Sequence, residues 1–250
     1  MARPRVMNYE NAYFGPPTSL VNWCEPDYVH SRYIAETFNT ISNLYTVIIG
    51  YLLFKHYRAY ENRFRMTALL MMMVGIGSAA FHGSLKYHFQ LLDELPMLYT
   101  TVSMTYIVIE MPYKSVRYPN LPIITVALCC ILTIGHIVLK NAELFFACFG
   151  ILLSPAIWHT LFGKHHRDVV ISMRYALFFL IVAFTSWELD RFFCSVVQPY
   201  HLHSIWHIFI TVSGQYWLNA MVYKRLKLLG IESKLILHGF MIKESKSKIN

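Results

Sequence analysis

Long apolar runs alternate with short polar breaks along the chain. Seven of the runs approach the roughly 20 residues that a helix needs to cross a bilayer core about 30 Å thick. They cover residues 34–54, 66–85, 92–110, 121–139, 143–162, 170–189 and 203–223. The breaks are short, and neither an internal repeat nor a low-complexity linker separates them, so one bundle is expected rather than two domains. The pattern predicts an all-α membrane protein: a seven-transmembrane helix bundle over 34–223, an amino-terminal segment over 1–33, and a basic tail over 224–250.

Composition agrees. Hydrophobic residues make up 56% and charged residues 14% of the chain, and the mean hydropathy is +0.40, outside what a solvated domain surface allows. The net charge of +8 does not point to nucleic acid, because the basic residues sit between apolar runs instead of on one polar face. Residues 1–18 hold two arginines but no apolar core before a cleavage site, so the first helix is expected to act as its own signal.

Lys and Arg are unevenly shared between the two ends of the predicted bundle. Arg3, Arg5, Arg32, Lys86, Lys140 and Arg191 fall on the amino-terminal side. Lys55, Arg58, Arg63, Arg65, Lys114, Arg117, Lys164, Arg167 and the lysine-rich tail fall on the other. The excess marks the cytosolic side, so the amino terminus is expected to be lumenal or extracellular and the carboxyl terminus cytosolic. Cys24 and Cys194 both lie on the outer side, where a disulfide persists, whereas Cys129, Cys130 and Cys148 lie within helices. Lys246 and Lys248, third and fifth from the end, resemble a dilysine signal read by the cytosolic coat; a solvated basic tail is the plainer reading.

Ionisable groups inside a membrane are costly and tend to mark function. Ser78 and His82 are four apart near the outer end of the second helix, Asp93 and Glu94 open the third, and His203 and His207 are four apart at the start of the seventh. Three imidazoles with one open position make a catalytic zinc arrangement, and His82 with the His203–His207 pair would supply it. Hydrogen bonding between helices is the alternative. His88 and His201 are rival ligands, while His165 and His166 lie on the other side. Asp93 could instead cap its helix, Ser78 could be a small packing residue beside Gly75 and Gly77, and Trp187, Glu188 and Asp190 could form an interfacial belt. The run Asn22-Trp23-Cys24-Glu25-Pro26-Asp27, followed by Glu36, is rich in oxygen donors that suit calcium. A solvated acidic loop is the other reading.

Together these motifs resemble the alkaline ceramidases, seven-helix membrane amidases of the endoplasmic reticulum, Golgi and plasma membrane. The resemblance rests on Tyr13-Phe-Gly-Pro, Asn22-Trp-Cys-Glu, Ala35-Glu-Thr-Phe-Asn-Thr-Ile-Ser-Asn43, Gly77-Ser-Ala-Ala-Phe-His82, Asp93-Glu-Leu-Pro-Met97 and His203-Ser-Ile-Trp-His207. It implies hydrolysis of a ceramide amide, with zinc on His82, His203 and His207 and with Ser78 and Asp93 beside the metal. It also implies calcium on Asn22, Glu25, Asp27, Glu36 and the carbonyl of Trp23. The Cys24–Cys194 disulfide fits the family pattern. The family commonly has Asp where this chain has Asn22, which removes one negative charge from that loop. The substrate would be a membrane ceramide that reaches the site through a lateral opening between helices, and the resemblance places the protein in the endoplasmic reticulum or Golgi. The alternative is a seven-transmembrane receptor related to the adiponectin and progestin receptors, with a similar metal site. A transporter would show broken helices in matching halves, and no such symmetry is found; Pro155 alone interrupts the fifth run.

Overall fold

The seven apolar runs become seven long helices in the computed structural model, which describes residues 9–244. They are α1 Thr37–His56, α2 Asn62–Ser84, α3 Tyr87–Glu110, α4 Leu121–Leu139, α5 Ala142–Phe162, α6 Arg167–Phe192 and α8 Leu202–Leu228. A one-turn helix, α7 Cys194–Val197, precedes α8, and an antiparallel hairpin of β1 Ser233–Ile236 and β2 Met241–Glu244 follows it. Among the described residues the hairpin is the one addition to an otherwise helical fold. Arg3, Arg5, Lys246 and Lys248 lie outside the described residues.

Five of the long helices, all but α3 and α8, are long and apolar enough to cross a membrane. The two exceptions carry many of the polar residues that the bundle buries. On α8 these recur every four residues, as His203, His207, Thr211, Gln215 and Asn219, and so form one stripe. The last three find hydrogen-bond partners on neighbouring elements. Thr211 meets Thr46 of α1 at 2.7 Å, and the Tyr57 hydroxyl donates to Asn219 Oδ1 at 2.5 Å. Gln215 and Asn219 donate to the Phe240 carbonyl at 2.9 and 2.7 Å. Enclosed by α1 and α6, the stripe is shielded from what surrounds the bundle.

Close backbone approach sets the α2–α3 contact. A Cβ on Gly77 would lie 1.9 Å from the Leu92 carbonyl oxygen, the same carbonyl to which Pro96, lacking an N–H, cannot donate. Two elements of chain then close opposite ends of the bundle. The amino-terminal segment lies over one end, where Thr18 and Ser19 N–H donate to the Leu85 carbonyl and Ala35 and Glu36 N–H donate to those of Gly83 and His82. The hairpin lies against α6 and α8 at the other end.

The third helix begins at Tyr87, well before the apolar run that announced it, so Asp93 sits in its second turn. A charge there is beyond the first turn where the helix dipole acts, which removes the capping reading of Asp93.

Candidate functional site

His82 ends α2, while His203 and His207 occupy successive turns of one face of α8. One nitrogen from each lies within 4.8 Å of the others, forming a group able to hold a metal ion. Ring centroids are separated by 5.0 Å for His82–His203, 4.9 Å for His82–His207 and 4.6 Å for His203–His207. All three side chains are buried.

Each ring is fixed from its far side. His82 Nδ1 lies 2.5 Å from Glu36 Oε2, which leaves its Nε2 buried without a protein partner. His207 Nδ1 meets Ser42 Oγ at 2.8 Å and Asn43 Nδ2 at 3.2 Å. Trp23 stacks on His203 at 3.7 Å. Asp190 accepts from both Cys24 N, at 3.0 Å, and His203 N, at 3.2 Å, tying the amino-terminal segment to the start of α8. Cys24 and Cys194 complete that tie with a disulfide. Buried imidazole nitrogens that converge with no hydrogen-bond partner of their own are a donor set suited to a metal.

Ser78, one turn before His82, lies beside the Asp93 carboxylate across the tight α2–α3 contact that Gly77 permits. The rival histidines go elsewhere: His201 stacks on Phe38 at 4.0 Å, and His88 lies tilted against its neighbour Phe89 at 4.3 Å. Trp187 is buried in an aromatic cluster with Trp23 and Trp206 instead of lying on the surface.

The acidic segment is no solvated loop. Glu25, Asp27 and Glu36 are all buried, whereas Asn22 is exposed. Glu25 accepts from the N–H groups of Phe38 and Asn39, each at 2.8 Å, and so caps α1 from eleven residues upstream of Glu36. Asp27 Oδ2 accepts from Tyr9 at 2.5 Å and Asn22 at 3.2 Å, while its Oδ1 is buried without a partner. Trp23 N donates to Glu36 Oε1 at 3.3 Å. Burial pushes the carboxyls of Glu25 and Asp27 above the usual carboxylate range, although hydrogen bonds from Phe38 and Asn39, and from Tyr9 and Asn22, pull the other way. None of the three acids forms an ion pair with Lys or Arg among the described residues.

An elongated cavity with about 1390 Å³ of empty space, counting its open mouth, runs down the bundle from this cluster. Trp23, Ser78, Asp93, His203 and His207 line one end; Met71, Met104, Phe149 and Leu153 line the middle; Thr160 and Trp217 line the other end. Both α5 and α6 contribute to the wall, yet they barely touch each other.

Several residues of this site were not singled out from the sequence for the parts they play: Asp190 as a backbone clamp, Glu25 as a helix cap, and Ser42, Asn43 and Trp23 as supports of the histidine rings. Asn39 and Asn43, four apart on α1, carried the one periodic signal that could have shown the latter.

The chain matches the family model described as Ceramidase over residues 15–244. It is 30% identical to alkaline ceramidase 1 of Mus musculus over 229 residues, covering 84% of this chain and 82% of that one. Alkaline ceramidase 3 of Mus musculus is 29% identical over 231 residues, 82% of each chain. An alkaline ceramidase of Arabidopsis thaliana is 26% identical over 215 residues, 82% of this chain and 83% of the plant protein. With a match that spans nearly the whole bundle and its histidine cluster, this chain belongs to the ceramidase family.

Proposed function

We propose that the protein hydrolyses the amide bond of ceramides, releasing a sphingoid base and a free fatty acid, with zinc held by His82, His203 and His207. The observation that carries this reading is the long apolar cavity that ends on three converging buried histidines with Asp93 and Ser78 beside them. A cavity of this kind accepts aliphatic chains and presents one polar bond to the polar end. The orphaned nitrogens of His82 and His203 fit a metal bound by neutral imidazoles. Zinc bound there would supply Lewis acidity toward the amide carbonyl and the attacking water.

The chain's own groups supply the proton steps. Asp93 accepts a proton from the water as its oxygen attacks the carbonyl carbon. It then returns that proton to the nitrogen as the carbon–nitrogen bond breaks, work worth roughly 10² to 10⁴ in rate. Ser78, turned from Asp93 toward the carbonyl oxygen, donates to the developing negative charge. Both products are amphiphiles, and the sparse contact between α5 and α6 supports lateral passage between these helices into the bilayer.

Calcium bound by Glu25, Asp27, Glu36, Asn22 and the Trp23 carbonyl would offset three buried carboxylates that lack basic partners; the orphaned Asp27 Oδ1 supports it. We extend the membrane reading to all seven long helices, since α3 and α8 are flanked by helices apolar enough to span and keep their polar residues inside. In this reading the segment 1–33 is lumenal, the bundle 34–223 is catalytic, and the tail from 224 is cytosolic. Lys246 and Lys248 are then available to the retrieval coat, which fits residence in the endoplasmic reticulum or Golgi. Nothing in the site favours the receptor alternative.

The deciding experiment is fatty-acid release from a ceramide panel by detergent-purified protein, with metal quantified and His207→Ala run in parallel. About one zinc per chain and turnover, both lost in the variant, is the expected result. Bound zinc without turnover of any ceramide would overturn the substrate assignment.

A further inference from the structure

The proposed reaction leaves the buried carboxylate of Glu94 unused. Glu94 follows Asp93 on α3, so the two side chains leave the helix about 100° apart. Asp93 turns to Ser78 on α2, whereas Glu94 turns to α4. Its Oε1 accepts from Gln90 Nε2 at 2.8 Å, and its Oε2 lies 2.6 Å from His136 Nε2. Gln90 is fully buried, and its own Oε1 accepts from Leu20 N at 2.7 Å, which anchors the group to the amino-terminal segment. Gln90 therefore hydrogen-bonds one Glu94 oxygen, and His136 is in close contact with the other without a hydrogen bond between them.

His136 is the one buried residue of α4. The rest of that helix is exposed or half-buried and mostly apolar, so packing alone calls for no histidine at this point. A carboxylate across the contact does. Glu94 also lines the cavity, at the end where Asp93, Trp23 and His203 meet. A carboxyl acceptor set into the cavity wall, one residue from the group that moves the proton, is placed to touch the substrate close to its amide.

We propose that Glu94 selects the sphingoid base: braced by Gln90 and His136, its carboxylate accepts a hydrogen bond from a hydroxyl one carbon away from the carbon that bears the amide. The inference rests on the ceramide reading and names the part of the substrate that the cavity recognises. A buried acceptor discriminates sharply because a ligand without a donor leaves it unpaired. Glu94 is the specificity residue and His136 a positioning residue.

The test compares kcat/KM of the zinc-loaded full chain for dihydroceramide, 1-deoxydihydroceramide and 3-ketodihydroceramide with one acyl chain. Each analogue removes one of the two candidate donors. Wild type should lose about tenfold or more on one of the analogues. In Glu94→Met the gap should close to within about threefold through loss on dihydroceramide, with zinc content retained. His136→Leu should narrow the gap as well, and His136→Gln, whose amide can still donate, should restore it. If Glu94→Met does not accumulate as folded protein, Glu94→Gln carries the test, since a neutral acceptor should weaken discrimination several-fold. Equal loss on all three substrates in the Glu94 variants, or an unchanged ratio, would reduce the trio to a tether between α3 and α4 and overturn the proposal, as would a wild type that turns over all three alike. Absence of turnover on dihydroceramide by wild type is a different failure: it removes the ceramide reading, and this inference with it.

Discussion

Oε2 of Glu36 and Nδ1 of His82 lie 2.5 Å apart, with both side chains fully buried. The same carboxylate receives Asn39 Nδ2 on Oε2 at 3.1 Å and Trp23 N on Oε1 at 3.3 Å. One acid thus joins the acidic amino-terminal segment to the histidine cluster. A carboxylate on the far nitrogen of an imidazole selects its tautomer and turns the other nitrogen toward the metal. Glu36→Gln should therefore weaken zinc binding by roughly 10- to 100-fold, with turnover recovering as zinc is added. Zinc competition with a chromogenic chelator measures it; affinity within about twofold of wild type would show that Glu36 does not orient His82.

Gly77 sets the distance between the Ser78 and Asp93 helices. Its Cα hydrogen faces a backbone carbonyl, and a methyl group there would meet the Leu92 oxygen at 1.9 Å. Backbone cannot swing aside as a side chain can, so Gly77→Ala must push α2 away from α3. The expected cost is about 1–3 kcal/mol of stability. Turnover should fall by tenfold or more in the protein that remains folded, because a misplacement of about 1 Å at a reacting group carries losses of that order. Activity per zinc-loaded molecule separates the two effects.

Burial raises the carboxyls of Glu25 and Asp27. A folded-state value above the unfolded one gives stability that is present below the unfolded pKa and lost as pH rises through the folded pKa. Calcium prefers the ionised form and should reverse that loss. In calcium-free buffer with zinc supplied, the unfolding temperature should decline as pH rises above the ordinary carboxylate range, and the gain on adding calcium should grow over the same interval. A calcium effect that is flat with pH would separate these acids from the ion.

What the sequence made legible was hydrocarbon more than helix. The run over 121–139 gave α4 to the residue because that helix is apolar and peripheral, entered with a proline in its first turn and left through Lys140 in the left-handed region. The third run began late because the helix opens with His88 and Gln90 among its first residues, and apolar length does not register them. The histidine trio was readable because four-residue spacing fixes a helix face and the apolar runs fix depth. Glu25 as the cap of α1, Asp190 as a clamp and His136 opposite Glu94 were not readable, since each acts on residues distant in sequence. The Cys24–Cys194 bridge, 170 residues apart, was reachable only because topology put both cysteines on one side. The hairpin escaped notice because its strands are short and much of its support comes from α8.

That support can be tested directly. Gln215 and Asn219 are buried on α8, and their amide groups donate to the carbonyls of Gly239 and Phe240. Gly239 makes the docking possible: its φ of +110° is one that side chains disfavour, and a Cβ would meet Ser172 Oγ at 2.0 Å. Removing residues 230–250 should cost about 1–3 kcal/mol for each donor left buried without a partner. Gly239→Ala should reproduce much of that loss, while zinc content stays near wild type because the histidines lie at the other end of the bundle. The decisive comparison adds Gln215→Leu. In the full chain it sacrifices a hydrogen bond; in the truncated chain it replaces an unpaired donor with an apolar group. The two changes should therefore couple favourably by about 0.5–1.5 kcal/mol in thermal or denaturant unfolding. Simple additivity would mean that the hairpin does not satisfy α8, and that its cost of removal has another source.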